Sequence, residues 1–116
     1  MTVTIVLNGD IESCCTFTPA NEVESTVRGW IGDAHALQVI NLERTEWTPD
    51  TLAATAIRYF DNEAYPLVYI DTTLCTFGAL PSKKSLLAYL NGDQEYGVTE
   101  TDIATAAEAM QKEPRE

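Results

Sequence analysis

Histidine is nearly absent from this chain, basic residues are scarce, and there is no long apolar run. Among 116 residues there is one histidine, His35, and seven Lys and Arg stand against 18 Asp and Glu, a formal net charge of −11. With one imidazole, a structural zinc site is not expected, and nucleophilic Cys-His catalysis has a single base to draw on. A surface this acidic repels phosphate backbones and anionic lipid, so neither nucleic acid nor membrane is an expected partner. It reads as a soluble acidic surface, with a docking face for a basic partner as the sharper alternative. The opening apolar run, residues 3–7, is too short for a membrane span. No basic region precedes it and Asn8-Gly9-Asp10 closes it, so a signal peptide is not expected either. Gly9 stands alone, without the pattern of a phosphate-binding loop. Three cysteines, two of them adjacent, fit no secreted disulfide framework, which points to a cytoplasmic protein with reduced thiols.

The feature that stands out is Ser13-Cys14-Cys15-Thr16-Phe17-Thr18-Pro19. Thr18 is suited to an N-cap and Pro19 to the first helical position, where its missing N–H costs nothing. That spacing sets Cys15 just ahead of a helix N-terminus, whose partial positive charge favours thiolate over thiol. Asp10, Glu12 and Glu22 act in the opposite direction.

The rest of the chain alternates. Residues 2–7 (TVTIVL) read as a central strand, and a helix follows from Pro19 with Val23, Val27, Trp30 and Ile31 on one stripe, stopped by Gly32-Asp33. Residues 36–42 are a second strand, parallel to the first across the helix. Thr48-Pro49-Asp50 repeats the cap-plus-proline start, and Leu52, Ala56, Tyr59 and Phe60 mark a helix to about Asn62. Residues 65–71 form a third strand with Pro66 near its start, where proline is tolerated. Thr72-Thr73 serves as a hairpin loop into a fourth strand, residues 74–77, ended by Gly78. Pro81-Ser82 opens a helix through Leu86, Leu87 and Leu90 to Asn91-Gly92. Thr99 with Asp102 is a near capping box for a last, alanine-rich helix on Ile103, Ala106, Ala107 and Met110, expected to dock loosely before a frayed tail.

The order β-α-β-α-β-β-α, a cysteine between first strand and first helix, a proline opening the third strand and a glycine ending the fourth together resemble the thioredoxin-like fold. Tyr65-Pro66-Leu67-Val68-Tyr69-Ile70-Asp71 with Cys75-Thr76-Phe77-Gly78 and Pro81 is similar to the small YuzD-like disulfide oxidoreductases. The adjacent Cys14-Cys15 pair resembles that of the ArsD-like arsenical chaperones. The resemblance covers residues 2–92 and implies an α/β domain with a four-stranded mixed sheet over residues 1–92; the helical extension and tail over 93–116 have no counterpart in the pattern. It implies that Pro66 is a cis-proline facing the active-site sulfurs, with Tyr65, Thr16 and Thr18 beside it in a substrate groove. The chain departs from the pattern in lacking Cys-x-x-Cys: Thr18 stands three after Cys15, and Phe17 three after Cys14. The third loop cysteine of the ArsD-like pattern is missing too.

Three readings stay open. Thiol–disulfide redox would use Cys15 as attacking thiolate and Cys14 as vicinal partner, with a protein or small thiol as the other reactant and no cofactor. Their mutual disulfide closes an eight-membered ring, which is strained and easily reduced. Soft-ion binding would use two or three thiolates, Cys14 and Cys15 with Cys75 if the fold brings it near. A non-catalytic binding or assembly module would use neither, the cysteines then being compact hydrophobes. Cys75, mid-strand, reads as core. Trp30 reads as core, Trp47 as exposed and able to anchor a partner, and a homodimer through Trp47 or the last helix is compatible with the pattern.

Overall fold

A computed structural model describes residues 1–9, 11–12, 17–78 and 80–109. The chain runs β1 (Thr2–Leu7), β2 (Ile11–Glu12), β3 (Phe17–Thr18), α1 (Ala20–Ile31), β4 (Ala36–Asn41), α2 (Thr51–Phe60), β5 (Leu67–Ile70), β6 (Thr73–Phe77), α3 (Lys83–Asn91) and α4 (Glu100–Ala109). A 3-10 turn, Asp61–Ala64, joins α2 to β5.

β1 is central because five of its six residues are β-branched and it can be covered on both faces. It pairs in parallel with β4, from Thr2↔Ala36 to Leu7↔Asn41, and antiparallel with β5, from Val3↔Ile70 to Val6↔Leu67. β6 pairs antiparallel with β5, giving a four-stranded mixed sheet in the order β4-β1-β5-β6. Beyond β6, the Val98 N–H donates to the Leu74 carbonyl at 2.9 Å, so the segment before α4 covers part of that edge.

Alternation along the strands sends residues to two layers. Val3, Ile5, Leu7, Val68, Ile70 and Cys75 meet Val23, Val27 and Ile31 of α1 and Leu86 and Leu90 of α3. Val6, Leu67, Tyr69 and Leu74 meet Ala53 of α2, with Trp47 packed against them. Trp47 is therefore half-buried rather than exposed, and Trp30 packs against the first layer as expected.

Four local expectations shift. Proline stands at the cap of α1 itself: Pro19 has an extended ψ of 143° and no side chain caps the helix, while Thr18 belongs to β3. α2 is capped by Asp50, whose carboxylate accepts from Ala53 N–H, because a carboxylate beats the Thr48 hydroxyl for the orphan donors. The β5–β6 turn is Asp71-Thr72, with Asp71 at a φ of +55°. Aspartate tolerates that region better than threonine, which moves the turn one residue forward. The last helix docks firmly. Ile103 and Ala107 are fully buried in a cluster with Ala56, Phe60 and Ala64, and alanines let α4 lie close on α2. Its capping box is reciprocal, Thr99 N–H to Asp102 Oδ2 at 3.0 Å and Asp102 N–H to Thr99 Oγ1 at 3.1 Å.

Candidate functional site

The chain leaves the carboxyl end of β1 and returns to α1 through the cysteine segment. Cys14, Cys15 and Thr16, on which the thiol readings rest, lie outside the described residues. Their brackets do not. Ile11 pairs with Thr18 and Glu12 with Phe17, so β2 and β3 form a short antiparallel ladder around the segment. Two-residue strands carry no periodicity, which is why sequence reasoning missed them. α1 therefore starts at Ala20, beyond a strand-paired dipeptide and Pro19.

Where the chain leaves β1 the fold has a crevice. α1 follows β1 on one face of the sheet, while α2 follows β4 on the other, so the connections part between β1 and β4. Open α/β sheets bind ligands at the carboxyl ends of strands at such a switch point. Here the cavity holds about 470 Å³ and is lined by Asn21 and Glu24 from α1, Asn41 at the end of β4, and Glu43, Arg44 and Thr45 beyond it. The usable signal was for Glu43 alone, which follows closely on the carboxyl end of β4.

Asn41 holds the crevice together. Its Oδ1 accepts from Glu43 N–H at 3.1 Å and, more weakly, from Gly9 N–H at 3.4 Å, while Leu42 N–H donates to the Leu7 carbonyl at 2.8 Å. Gly9 has a φ of +93°, and a Cβ there would stand 3.0 Å from Glu43 Oε1. The exit from β1 is thus pinned to the exit from β4 by one side-chain amide, one backbone hydrogen bond and one close approach.

Pro66 stands at the same end of the sheet, immediately before the Leu67↔Val6 pair. The Tyr65–Pro66 peptide bond is cis. Gly78 N–H donates to the Ala64 carbonyl at 2.9 Å and the Pro66 carbonyl at 3.1 Å, tying the end of β6 to the start of β5. Gly78 has a φ of +81°, and the carbonyl of Glu63 lies 3.2 Å from where its Cβ would be, so glycine is needed there. Tyr65 is half-buried, and burial, helped by the negative charge of Asp61, raises its phenol above the ordinary value.

Cys75 is placed elsewhere. The register shifts between Val68↔Thr76 and Tyr69↔Leu74, leaving Cys75 as the extra residue of a β-bulge. Its side chain is 6% exposed, on the α1 and α3 side at the level of Thr4 and Ile5, short of the strand end where the cysteine segment leaves. Burial pushes its thiol up to about 11. His35 follows α1 at the amino end of β1, where Ala36 N–H meets the Met1 carbonyl, and so stands opposite the cysteine segment. Among the described residues, no group of three or more His, Cys, Asp or Glu could hold a metal ion, and no helix is long and apolar enough to cross a membrane. No protein-family model matches the chain, and neither a curated protein nor a solved structure matches it.

Proposed function

We propose that this chain is a thioredoxin-like domain, cytoplasmic, whose Cys14–Cys15 pair carries out thiol–disulfide exchange. One observation carries the reading: the segment bearing the pair leaves the carboxyl end of the central strand β1 in a sheet ordered β4-β1-β5-β6, next to a crevice and at the same end as Pro66. The four-stranded mixed sheet supports the reading, and the short β2–β3 ladder is an addition to the expected order.

In the forward step the Cys15 thiolate attacks one sulfur of a substrate disulfide. The S–S bond breaks, and the other sulfur leaves as a thiolate and takes up a proton. The Cys14 thiolate then attacks the Cys15 sulfur of the mixed disulfide, releasing the second thiol and leaving a Cys14–Cys15 disulfide. Two electrons have passed to the substrate, and two molecules of a small external thiol return them by the reverse exchange. Thr16 and Thr18 supply donors to the sulfurs, and Tyr65 and Pro66 shape the groove.

The second reading is a binding or assembly module without redox turnover. It draws on Thr18, which stands where a Cys-x-x-Cys partner would be and is occupied by strand pairing to Ile11. Residue-resolved alkylation of the reduced protein from pH 5 to 10 separates the two. Exchange chemistry requires Cys15 to react with an apparent pKa below that of an unperturbed thiol. Ordinary titration of both loop cysteines, or resistance to alkylation, favours the module.

A further inference from the structure

A second cavity has a different chemistry. It holds about 240 Å³ on the α2 side of the sheet, lined by Thr4, Trp47, Thr48, Asp50, Tyr69, Asp71 and Thr72. Two aromatic rings form its corner: Trp47 and Tyr69 lie 6.3 Å apart between centroids, inclined at 64°. Two carboxylates complete it. Asp50 is fixed by its bonds from Ala53 N–H at 2.8 Å and the Tyr69 hydroxyl at 3.2 Å, and Asp71 by the bond from Thr2 N–H at 2.9 Å. No lysine or arginine lines the cavity, whereas the crevice by β4 contains Arg44 and the cleft between α2 and α4 contains Arg58.

The parts converge on one kind of ligand. Ring faces attract a cation through their quadrupoles, most strongly for tryptophan, and carboxylates at the same site add a full-charge attraction. The N-terminus of α2 contributes only about half a positive charge against the two negative ones. Three threonine hydroxyls can accept N–H bonds from an ammonium head. An anion meets two carboxylates here, and a neutral apolar group leaves them unpaired, so both are disfavoured.

We propose that the Trp47–Tyr69–Asp50–Asp71 cavity is a binding site for an alkylammonium group, presented either by a free polyamine or by a lysine side chain of a partner protein. The cation seats its ammonium between Asp50 and Asp71 and its methylenes against the Trp47 ring. The site is independent of the cysteines, so the thiol chemistry can fail without touching it.

The test is Trp47 fluorescence in a Trp30→Phe background, titrated with n-butylammonium at about 0.15 M ionic strength to suppress diffuse attraction to the acidic surface. The expected result is a saturable change, weakened roughly tenfold in Asp71→Asn, which keeps an oxygen for Thr2 N–H and removes the charge. Trp47→Leu, followed by nuclear magnetic resonance shifts of Tyr69, should weaken binding comparably. Spermidine and a lysine-containing peptide then distinguish the sources, and tighter binding by either supports the site and names its ligand. Equal response to n-butanol, a non-saturable response, or unchanged affinity in a folded Asp71→Asn protein overturns the proposal.

Discussion

Asp50 and Tyr69 are joined by a 3.2 Å hydrogen bond in which the phenol donates to the carboxylate that also caps α2. One oxygen thereby closes a helix end and ties it to a strand 19 residues further along. Asp50→Ala removes the cap and leaves the largely buried Tyr69 hydroxyl without its acceptor. The expected loss is about 2 kcal/mol, measured by urea denaturation, with Asp50→Asn losing roughly half as much. The same contact, after burial, raises the Tyr69 phenol above its ordinary range, so absorbance titration should show Tyr69 ionising at higher pH in the wild type than in Asp50→Ala.

Cys75 carries a pH dependence whose sign is fixed. Its folded thiol sits at about 11 against an ordinary value of 9.0, because burial disfavours the thiolate. Between those values the unfolded chain has released the proton and the folded chain has kept it, so this group lowers stability as pH rises from about 9 to about 11 and contributes no slope below that window. Denaturation of wild type and Cys75→Ala across that range should show the extra slope only in wild type. Cys75 should also resist alkylation at pH 8 until denaturant is added.

Ile103 is fully buried between α4 and α2. Ile103→Ala should cost about 3 kcal/mol by urea denaturation. A cost below about 0.5 kcal/mol would mean that α4 is a loosely attached extension after all.

Gly9 and Asn41 set where the cysteine segment leaves the sheet. Gly9→Ala combines a φ of +93° with a Cβ 3.0 Å from Glu43 Oε1, and should lose roughly 1–2 kcal/mol. Asn41→Ala frees two backbone N–H groups and should cost about 1 kcal/mol while changing the alkylation rates of Cys14 and Cys15. Unchanged rates in a folded Asn41→Ala protein would mean that the segment is positioned by other contacts.

Much of the fold was legible because its signals were long or chemically unambiguous. TVTIVL admits little but a buried strand, the Val23–Val27–Ile31 stripe gave α1 its face, and Ser82 and Gly92 bracket α3 as read. What was missed was decided by competition between neighbours: Asp50 over Thr48 for a cap, Asp71 over Thr73 for a turn. The docking of α4 was underestimated because its interface is small: Ala107 adds little hydrophobic signal, yet it is fully buried against α2. The crevice was hidden for another reason. Glu24 and Glu43 are charged, separated in the chain and unremarkable alone, and only the crossing of α1 and α2 to opposite faces brings them to one opening. The Trp47–Tyr69 corner likewise depends on the path of the segment between β4 and α2, which no periodicity describes.

The most direct test of the exchange chemistry is turnover of a small disulfide, with an external thiol as reductant, by wild type and by Cys14→Ser, Cys15→Ser and Cys75→Ser proteins. Cys15→Ser should abolish turnover with little change in stability, Cys14→Ser should accumulate a mixed disulfide on Cys15 visible by mass spectrometry, and Cys75→Ser should still turn over. Turnover by Cys15→Ser at the wild-type rate would contradict the exchange chemistry.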